Sequence, residues 1–202
     1  MSTSIGTYTY CVAAAALQRT FATEGDFDAL SIEKAASESE IAYVFGDSRN
    51  GWASHALDRL LRAFGANHLR FLLADDYRHR VPVGHGMFRQ LQAIEDKARI
   101  DAAIAEMAEL FEWSLRNVEL VGDLSGTYAY DEIPPIVLAT GAARIPRLDR
   151  SIHRDEEGDD IGYLYAYLRS VAKVLEYASR NGLAFVHDQE GGYAEGEDPL
   201  RD

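Results

Sequence analysis

The spacing of apolar residues along the chain alternates between a helical period and short continuous runs. Apolar residues that recur every three to four positions predict helices, and short runs rich in β-branched and aromatic residues predict strands. On this basis helices are expected at 8–22, 31–39, 54–65, 87–116 (in one or two pieces) and 161–180. Strands are expected at 41–46, 68–76, 118–124 and 183–188. The chain therefore mixes both kinds of element along its length, as α/β proteins do.

Residues 41–76 carry the clearest local unit. IAYVFG is an apolar run that ends at Gly46, the helical pattern of 54–65 stops at Gly65, and HLRFLLADD (68–76) is again strand-like. A strand, a helix and a second strand in this order predict a βαβ unit with parallel strands. Ligand sites in such units lie at the carboxyl ends of the strands, which here means the loop GDSRNGWAS.

Length and composition fit one folded domain. The 202 residues suffice to bury a core, and we expect a single domain at 1–190 followed by an acidic, glycine-rich and disordered tail at 191–202. No stretch is apolar for long enough to span a bilayer, so no membrane partner is expected. The single cysteine, Cys11, excludes an internal disulfide, which fits a cytoplasmic protein.

The net charge of −13 bears on the possible partners, because an acidic surface repels a polyanion unless basic residues are gathered in one place. Arginine holds phosphate and carboxylate groups bidentately. Two groups of arginines are candidates for binding tRNA or another anion: Arg78, Arg80 and Arg89, and Arg144 and Arg147. Ordinary surface ion pairs are the alternative for either group. The sequence has no P-loop, no G-x-G-x-x-G and no H-E-x-x-H motif, so neither a cofactor nor a metal is predicted.

Ser48 is the candidate nucleophile. Gly46 permits a tight exit from the strand, so we expect Ser48 at the rim of the sheet, in a loop that enters a helix. Backbone amides of such a loop can stabilise the oxyanion that forms when a serine attacks a carbonyl carbon. The alternative is structural, with Ser48 or Asn50 capping the turn before the helix.

The segment TYAYDEIPP sets Tyr128 and Glu132 four residues apart. With Ser125 as an N-cap, both side chains fall on one face of the first helical turns and can address one pocket. Pro134 and Pro135 are expected to kink this helix, because proline cannot donate a hydrogen bond in a helix interior. The alternative is a glutamate that is merely stabilised by the helix dipole.

Together the two segments resemble the tRNA-dependent cyclodipeptide synthases. In that family a strand ends in G-x-S, an amide residue follows, and a Tyr-x-x-x-Glu-x-Pro motif lies in the second half. The corresponding residues here are Gly46, Ser48 and Asn50, then Tyr128, Tyr130, Glu132 and Pro134. Pro146 and His153, seven residues apart, match a later loop of the family.

The resemblance implies a Rossmann-like three-layer fold with a mainly parallel sheet, like the catalytic domain of class I aminoacyl-tRNA synthetases. It implies that Ser48 accepts an aminoacyl group from aminoacyl-tRNA and passes it to an amine acceptor, giving an amide or a cyclic dipeptide. Glu132 would act as general base and acid, and Tyr128 would orient the amino group. For this role Glu132 should be buried beside the apolar segment that follows it. The residues expected to line the substrate site are Gly46, Asn50, Tyr130 and His153.

Other functions stay open. The region between the two motifs is acidic, so the aminoacyl donor is either a tRNA held by the arginine groups or another activated amino acid, such as one on a phosphopantetheine carrier. FGDSRNGW also resembles the opening block of GDS-type serine hydrolases, which predicts an esterase with Ser48 as nucleophile. A catalytically inactive acidic protein of the same fold, which binds a basic partner, is the third hypothesis.

Overall fold

The computed structural model describes residues 5–15, 41–49, 51–73, 79–84, 87–126, 129–139 and 161–193. Within these ranges the strands are β1 (Ile5–Val12), β2 (Ile41–Arg49), β3 (His79–Gly84), β4 (Met87–Ile94) and β5 (Ala184–Tyr193). The α-helices are α1 (Gly51–Phe64), α2 (Lys97–Arg116), α3 (Val118–Ser125), α4 (Ile133–Ala139) and α5 (Ile161–Asn181). The described residues also form two 3-10 turns, Arg70–Leu72 and Tyr130–Glu132, and residues 14–15 are helical.

The strands form one five-stranded sheet in the order β2-β1-β5-β4-β3, and each of its pairings is antiparallel. The predicted Rossmann-like fold with a mainly parallel sheet is therefore wrong. The resemblance implies that fold, and the predicted βαβ unit over 41–76 agrees with it, but β2 pairs with β1, and residues 70–72 form a 3-10 turn in place of a second strand. Without that strand there is no crossover to make the sheet parallel.

The N-terminal helix predicted at 8–22 is wrong over its first residues, which belong to β1. Thr7, Tyr8, Thr9 and Tyr10 are β-branched and aromatic residues, which favour a strand. β1 pairs with β2 on one side and with β5 on the other, so the ladder hydrogen bonds on both of its edges are made. Residues 16–22 and the helix predicted at 31–39 lie outside the described residues.

Two further predicted strands are also wrong. Leu69, Phe71 and Leu72 are buried as expected, but they pack from a turn. VELVGDL lies in the helix α3, which buries Val121 and Ser125 at helical spacing. A short apolar run predicts burial but does not distinguish a buried strand from a short helix or turn.

Four predicted elements are confirmed: the strands at 41–46 and 183–188 and the helices at 54–65 and 161–180. The two helices end as predicted, at Gly65 and at Asn181 followed by Gly182. These glycines adopt the left-handed conformation with φ of 81° and 63°, which a residue with a Cβ rarely adopts.

The helix predicted at 87–116 is right only in its second part. Residues 87–94 form β4, and α2 begins at Lys97 after its N-cap, Asp96. At the other end of the chain β5 runs to Tyr193, past the domain boundary expected at 190, and residues 194–202 lie outside the described part.

Helix α5 lies against the sheet and joins it to the other helices. The Cys11 thiol of β1 donates a hydrogen bond to the Val174 carbonyl of α5 at 3.3 Å. Burial raises the pKa of Cys11 to about 12, so this thiol is a protonated core group. The Tyr165 hydroxyl donates to the Ser114 hydroxyl of α2 at 2.5 Å, and the Arg169 guanidinium stacks on the Phe111 ring with 4.6 Å to its centroid. These contacts fix α2, which carries part of the site described below.

Candidate ligand-binding site

The predicted nucleophile lies within a strand and not in a loop. β2 continues past Gly46, and Ser48 pairs with Gly6 of β1 at the edge of the sheet. The tight exit expected at Gly46 is therefore wrong, because the ladder with β1 holds the chain extended there. Asn50 lies outside the described residues.

The predicted Tyr-Glu segment forms a 3-10 turn followed by α4. Glu132 is exposed, so the buried position expected for a general base is wrong. Tyr130 is half-buried, and its hydroxyl donates a hydrogen bond to the Asp123 carboxylate of α3 at 2.8 Å. Tyr128 and His153 lie outside the described residues.

The two prolines begin a helix and do not kink one. α4 starts at Ile133, so Pro134 and Pro135 occupy its first turn. The first N–H groups of a helix have no acceptor within it, so proline sacrifices no hydrogen bond there, and its fixed φ suits a helix start. Ser125 is not the predicted N-cap: it ends α3, where its hydroxyl donates to the Val121 carbonyl at 2.9 Å.

The two predicted segments have different neighbours. β2 packs against β1, α1 and α5, whereas α4 packs against α2, α3 and α5. Glu132 lies in the 3-10 turn before α4, and this turn packs against α3 and α4. The described contacts do not bring these two residues into one pocket.

The predicted arginine groups are described only in part. Arg80 and Arg89 lie in the β3–β4 ladder, opposite Gln90 and Val81 respectively. The other members, Arg78, Arg144 and Arg147, lie outside the described residues.

A cavity of about 490 Å³ lies where the loop after α1, strand β4 and the start of α2 meet. Its lining residues are Asn67, His68, Arg70, Phe71, Gln92, Ile94 and Arg99. This volume falls within the range of small-molecule sites, roughly 300–1,000 Å³. None of these seven residues belongs to the sites predicted from the sequence.

The cavity has a basic rim and a buried floor. His68, Arg70 and Arg99 are exposed, whereas the floor residues Phe71, Gln92 and Ile94 are buried. Three basic side chains from two separate segments thus surround one opening. The arrangement can therefore hold an anionic group.

Arg99 reaches the cavity from the first turn of α2, where a helix does not favour a cation. The N-terminal amides carry partial positive charge, which is why acidic residues are usual there, yet this turn has none. Lys97 is the other cation of the turn, and its Nζ lies 2.6 Å from Oδ2 of Asp101. The hydrogen bond from Lys97 lowers the pKa of Asp101. The ion pairs of the described residues do not include Arg99. A locally unfavourable residue of this kind is typical of a functional position.

The loop that carries His68 and Arg70 is held from α2. Gly65 ends α1. The Glu106 carboxylate then accepts hydrogen bonds from two backbone N–H groups of the loop, that of Asn67 at 2.8 Å and that of Leu69 at 2.6 Å. Leu69 is fully buried. The loop therefore has a defined position relative to α2.

The floor continues into a polar row across the middle of the sheet. Gln92 of β4 lies opposite His187 of β5, which lies opposite Thr9 of β1. Residues opposite each other on antiparallel strands project from the same face, so the buried side chains of all three share the face of the cavity. The His187 Nε2 is hydrogen-bonded to the Tyr167 hydroxyl at 2.9 Å, and the ring of Phe71 contacts His187 edge-on at 5.9 Å between centroids.

The sequence pattern did not reveal this site because most of its residues lie in two segments whose type was predicted wrongly. His68 and Arg70 stand in a run predicted as a buried strand, and Gln92 in a stretch predicted as helix. One signal was available: the N-cap Asp96 is followed by two cations, Lys97 and Arg99, against the helix dipole.

Comparisons with known proteins do not extend these observations: no family model matches the sequence, and no curated protein or solved structure is detectably similar to it. In the described ranges, no three His, Cys, Asp or Glu residues are placed to hold a metal ion. None of the helices in those ranges has the length and apolar character needed to cross a membrane.

Proposed function

We propose that the chain binds a small anion in the cavity between the 67–71 loop, β4 and the start of α2. The observation that carries this proposal is the meeting of His68, Arg70 and Arg99 around one opening, in a chain whose net charge is −13. An acidic protein repels anions in general, so a local group of three basic side chains in a concave site favours an anionic ligand specifically there.

The lining also indicates the rest of the ligand. Guanidinium groups bind phosphate and carboxylate oxygens with two parallel hydrogen bonds. Phe71 and Ile94 are almost fully buried, so the lining is mainly polar, and the amide of Gln92 offers both donors and an acceptor. The ligand that fits is a compact, polar molecule that carries a phosphate or carboxylate group.

Isothermal titration calorimetry with inorganic pyrophosphate and with citrate tests the proposal. Wild type is expected to bind at least one of them. Arg99→Gln is expected to weaken that binding by about 10- to 100-fold, because a hydrogen bond to a charged group contributes about 1.5–3 kcal/mol and about 1.4 kcal/mol is tenfold. Arg59→Gln, which removes an exposed arginine of α1 outside the cavity, should bind as wild type does. Binding of neither anion, or equal losses in both variants, would contradict the proposal.

Aminoacyl transfer through Ser48 is a second proposal, and it is supported by the sequence pattern alone. That pattern comprises Gly46-Asp47-Ser48 with Tyr128 and Glu132. Intact-protein mass spectrometry after incubation with a pool of aminoacylated tRNAs tests it. The expected result is one added aminoacyl mass in wild type and none in Ser48→Ala. An unmodified wild type removes this proposal. The esterase, the inactive binding protein and the cytoplasmic location are predictions that rest on sequence in the same way.

A further inference from the structure

We propose that Glu106 is a positioning residue for the cavity: its carboxylate holds the 67–69 loop against α2, so that His68 and Arg70 meet Arg99 around one ligand. This inference rests on the proposed function, because positioning has a consequence only if the cavity binds a ligand. Glu106 itself does not line the cavity. Its effect is exerted through the loop.

The contacts of Glu106 are made with the backbone of the loop. One carboxylate oxygen accepts from the Asn67 amide at 2.8 Å and the other from the Leu69 amide at 2.6 Å. Glu106 is only 9% exposed, and the ion pairs of the described residues do not include it. A buried carboxylate without a cation is costly unless its oxygens are hydrogen-bonded. The two loop amides supply this stabilisation.

One side of α2 carries both Arg99, which lines the cavity, and Glu106, which holds the loop. Arg99 and Glu106 are seven residues apart, which corresponds to about two turns and roughly 10 Å along the helix axis, so both project from the same side. Arg99 lines the cavity directly, and Glu106 fixes the residues just before Arg70. The spacing between the basic groups therefore depends on this carboxylate.

A carboxylate suits this role because both of its oxygens act only as acceptors when it is ionised. In Glu106→Gln one oxygen is replaced by an amide nitrogen, which would face a backbone N–H, so one of the two contacts is lost. Helix propensity is nearly the same for both residues. Glu106→Gln therefore loosens the loop with little direct effect on α2.

A double-mutant cycle tests the coupling, measured by calorimetry with whichever of pyrophosphate or citrate binds wild type. Glu106→Gln is expected to weaken binding by about tenfold, the value of one charge-assisted hydrogen bond at the low end of its range. In the Glu106→Gln background, Arg70→Gln should weaken anion binding by a smaller factor than it does in wild type, because the loop is already displaced. Arg99→Gln should weaken anion binding by the same factor in wild type and in Glu106→Gln. If the losses of binding free energy in Arg70→Gln and Glu106→Gln simply add in the double variant, the two residues are not coupled and the proposal is overturned.

Amide hydrogen exchange in the ligand-free protein, followed by ¹⁵N NMR, separates this proposal from the proposed function. Asn67 and Leu69 amides are expected to exchange about tenfold faster in Glu106→Gln than in wild type. Glu109→Gln, which changes an exposed glutamate of the same helix, is the matched control and should leave them protected. Unchanged protection in Glu106→Gln overturns the positioning role even if anions bind. If neither anion binds wild type, the proposed function fails, and with it the ligand role of Glu106.

Discussion

Two glutamates represent two regions of this molecule. Glu132 belongs to the segment that the sequence motif singles out, and it is exposed. Glu106 belongs to an acidic helix that carries no motif, yet it is buried and accepts two backbone hydrogen bonds from a distant loop. A motif gives residue types at a spacing, whereas a site requires burial and convergence. Burial and convergence depend on which elements pack together. In the described residues Glu106 has both, because it is buried and contacts a distant loop.

The largest expected effect that tests this contrast is on stability. Glu106→Ala removes the acceptor of two amides, one of them buried, and is expected to lower the free energy of unfolding by about 1–3 kcal/mol. Glu132→Ala changes an exposed residue and should stay within about 0.5 kcal/mol of wild type. Urea denaturation followed by circular dichroism gives both values.

Equal effects of the two substitutions would remove the contrast. A large loss in Glu132→Ala would mean that the motif segment contributes to the fold through contacts beyond those described for Glu132. A negligible loss in Glu106→Ala would mean that the loop finds other acceptors, such as water, and is not held by α2.

The comparison of the two regions also explains how much of the fold could be predicted from sequence. Long periodic segments such as α5, and a short strand bounded by turn signals such as β5, were predicted correctly because local pattern determines them. Whether the sheet is parallel was not predictable in this way. It depends on the pairing of β2 with β1, and β1 was predicted as part of a helix because an alanine-rich run follows it.

The candidate site was predictable to a smaller degree than the fold. Its lining comes from the 67–71 loop, from Gln92 and Ile94 of β4, and from Arg99 of α2. These residues are up to about 30 positions apart in the chain, and no short motif spans them. The antiparallel sheet, the hydrogen bonds of Glu106 and the shared hydrophobic core bring them together. The motif at Ser48, by contrast, is visible in the sequence, but the strand around it does not form the expected loop.

A smaller effect on stability is expected for two tyrosines, Tyr130 of the motif segment and Tyr167 of α5, which contacts the polar row of the sheet beside the cavity. Tyr167 is buried and its hydroxyl pairs with the buried His187, so Tyr167→Phe leaves a ring nitrogen of His187 without that partner and should cost about 1–2 kcal/mol. Tyr130 makes its bond to Asp123 at the surface, so Tyr130→Phe should cost less than about 0.5 kcal/mol. Thermal and urea denaturation provide the measurement. A costlier Tyr130→Phe would place the more important polar contact in the motif region.

The smallest expected effect concerns the two ends of α2 and has opposite signs. Arg99 lies in the first turn and Arg116 in the last, where the helix dipole opposes and favours a cation respectively. Arg99→Gln is therefore expected to raise the free energy of unfolding by about 0.3–1 kcal/mol at low salt, and Arg116→Gln to lower it by a similar amount. Chemical denaturation at low and high salt measures both. If Arg99→Gln destabilises the protein as Arg116→Gln does, Arg99 serves the fold. If it stabilises the protein while anion binding is lost, a cation is retained there at a cost to stability, which is the behaviour expected of a ligand-binding residue.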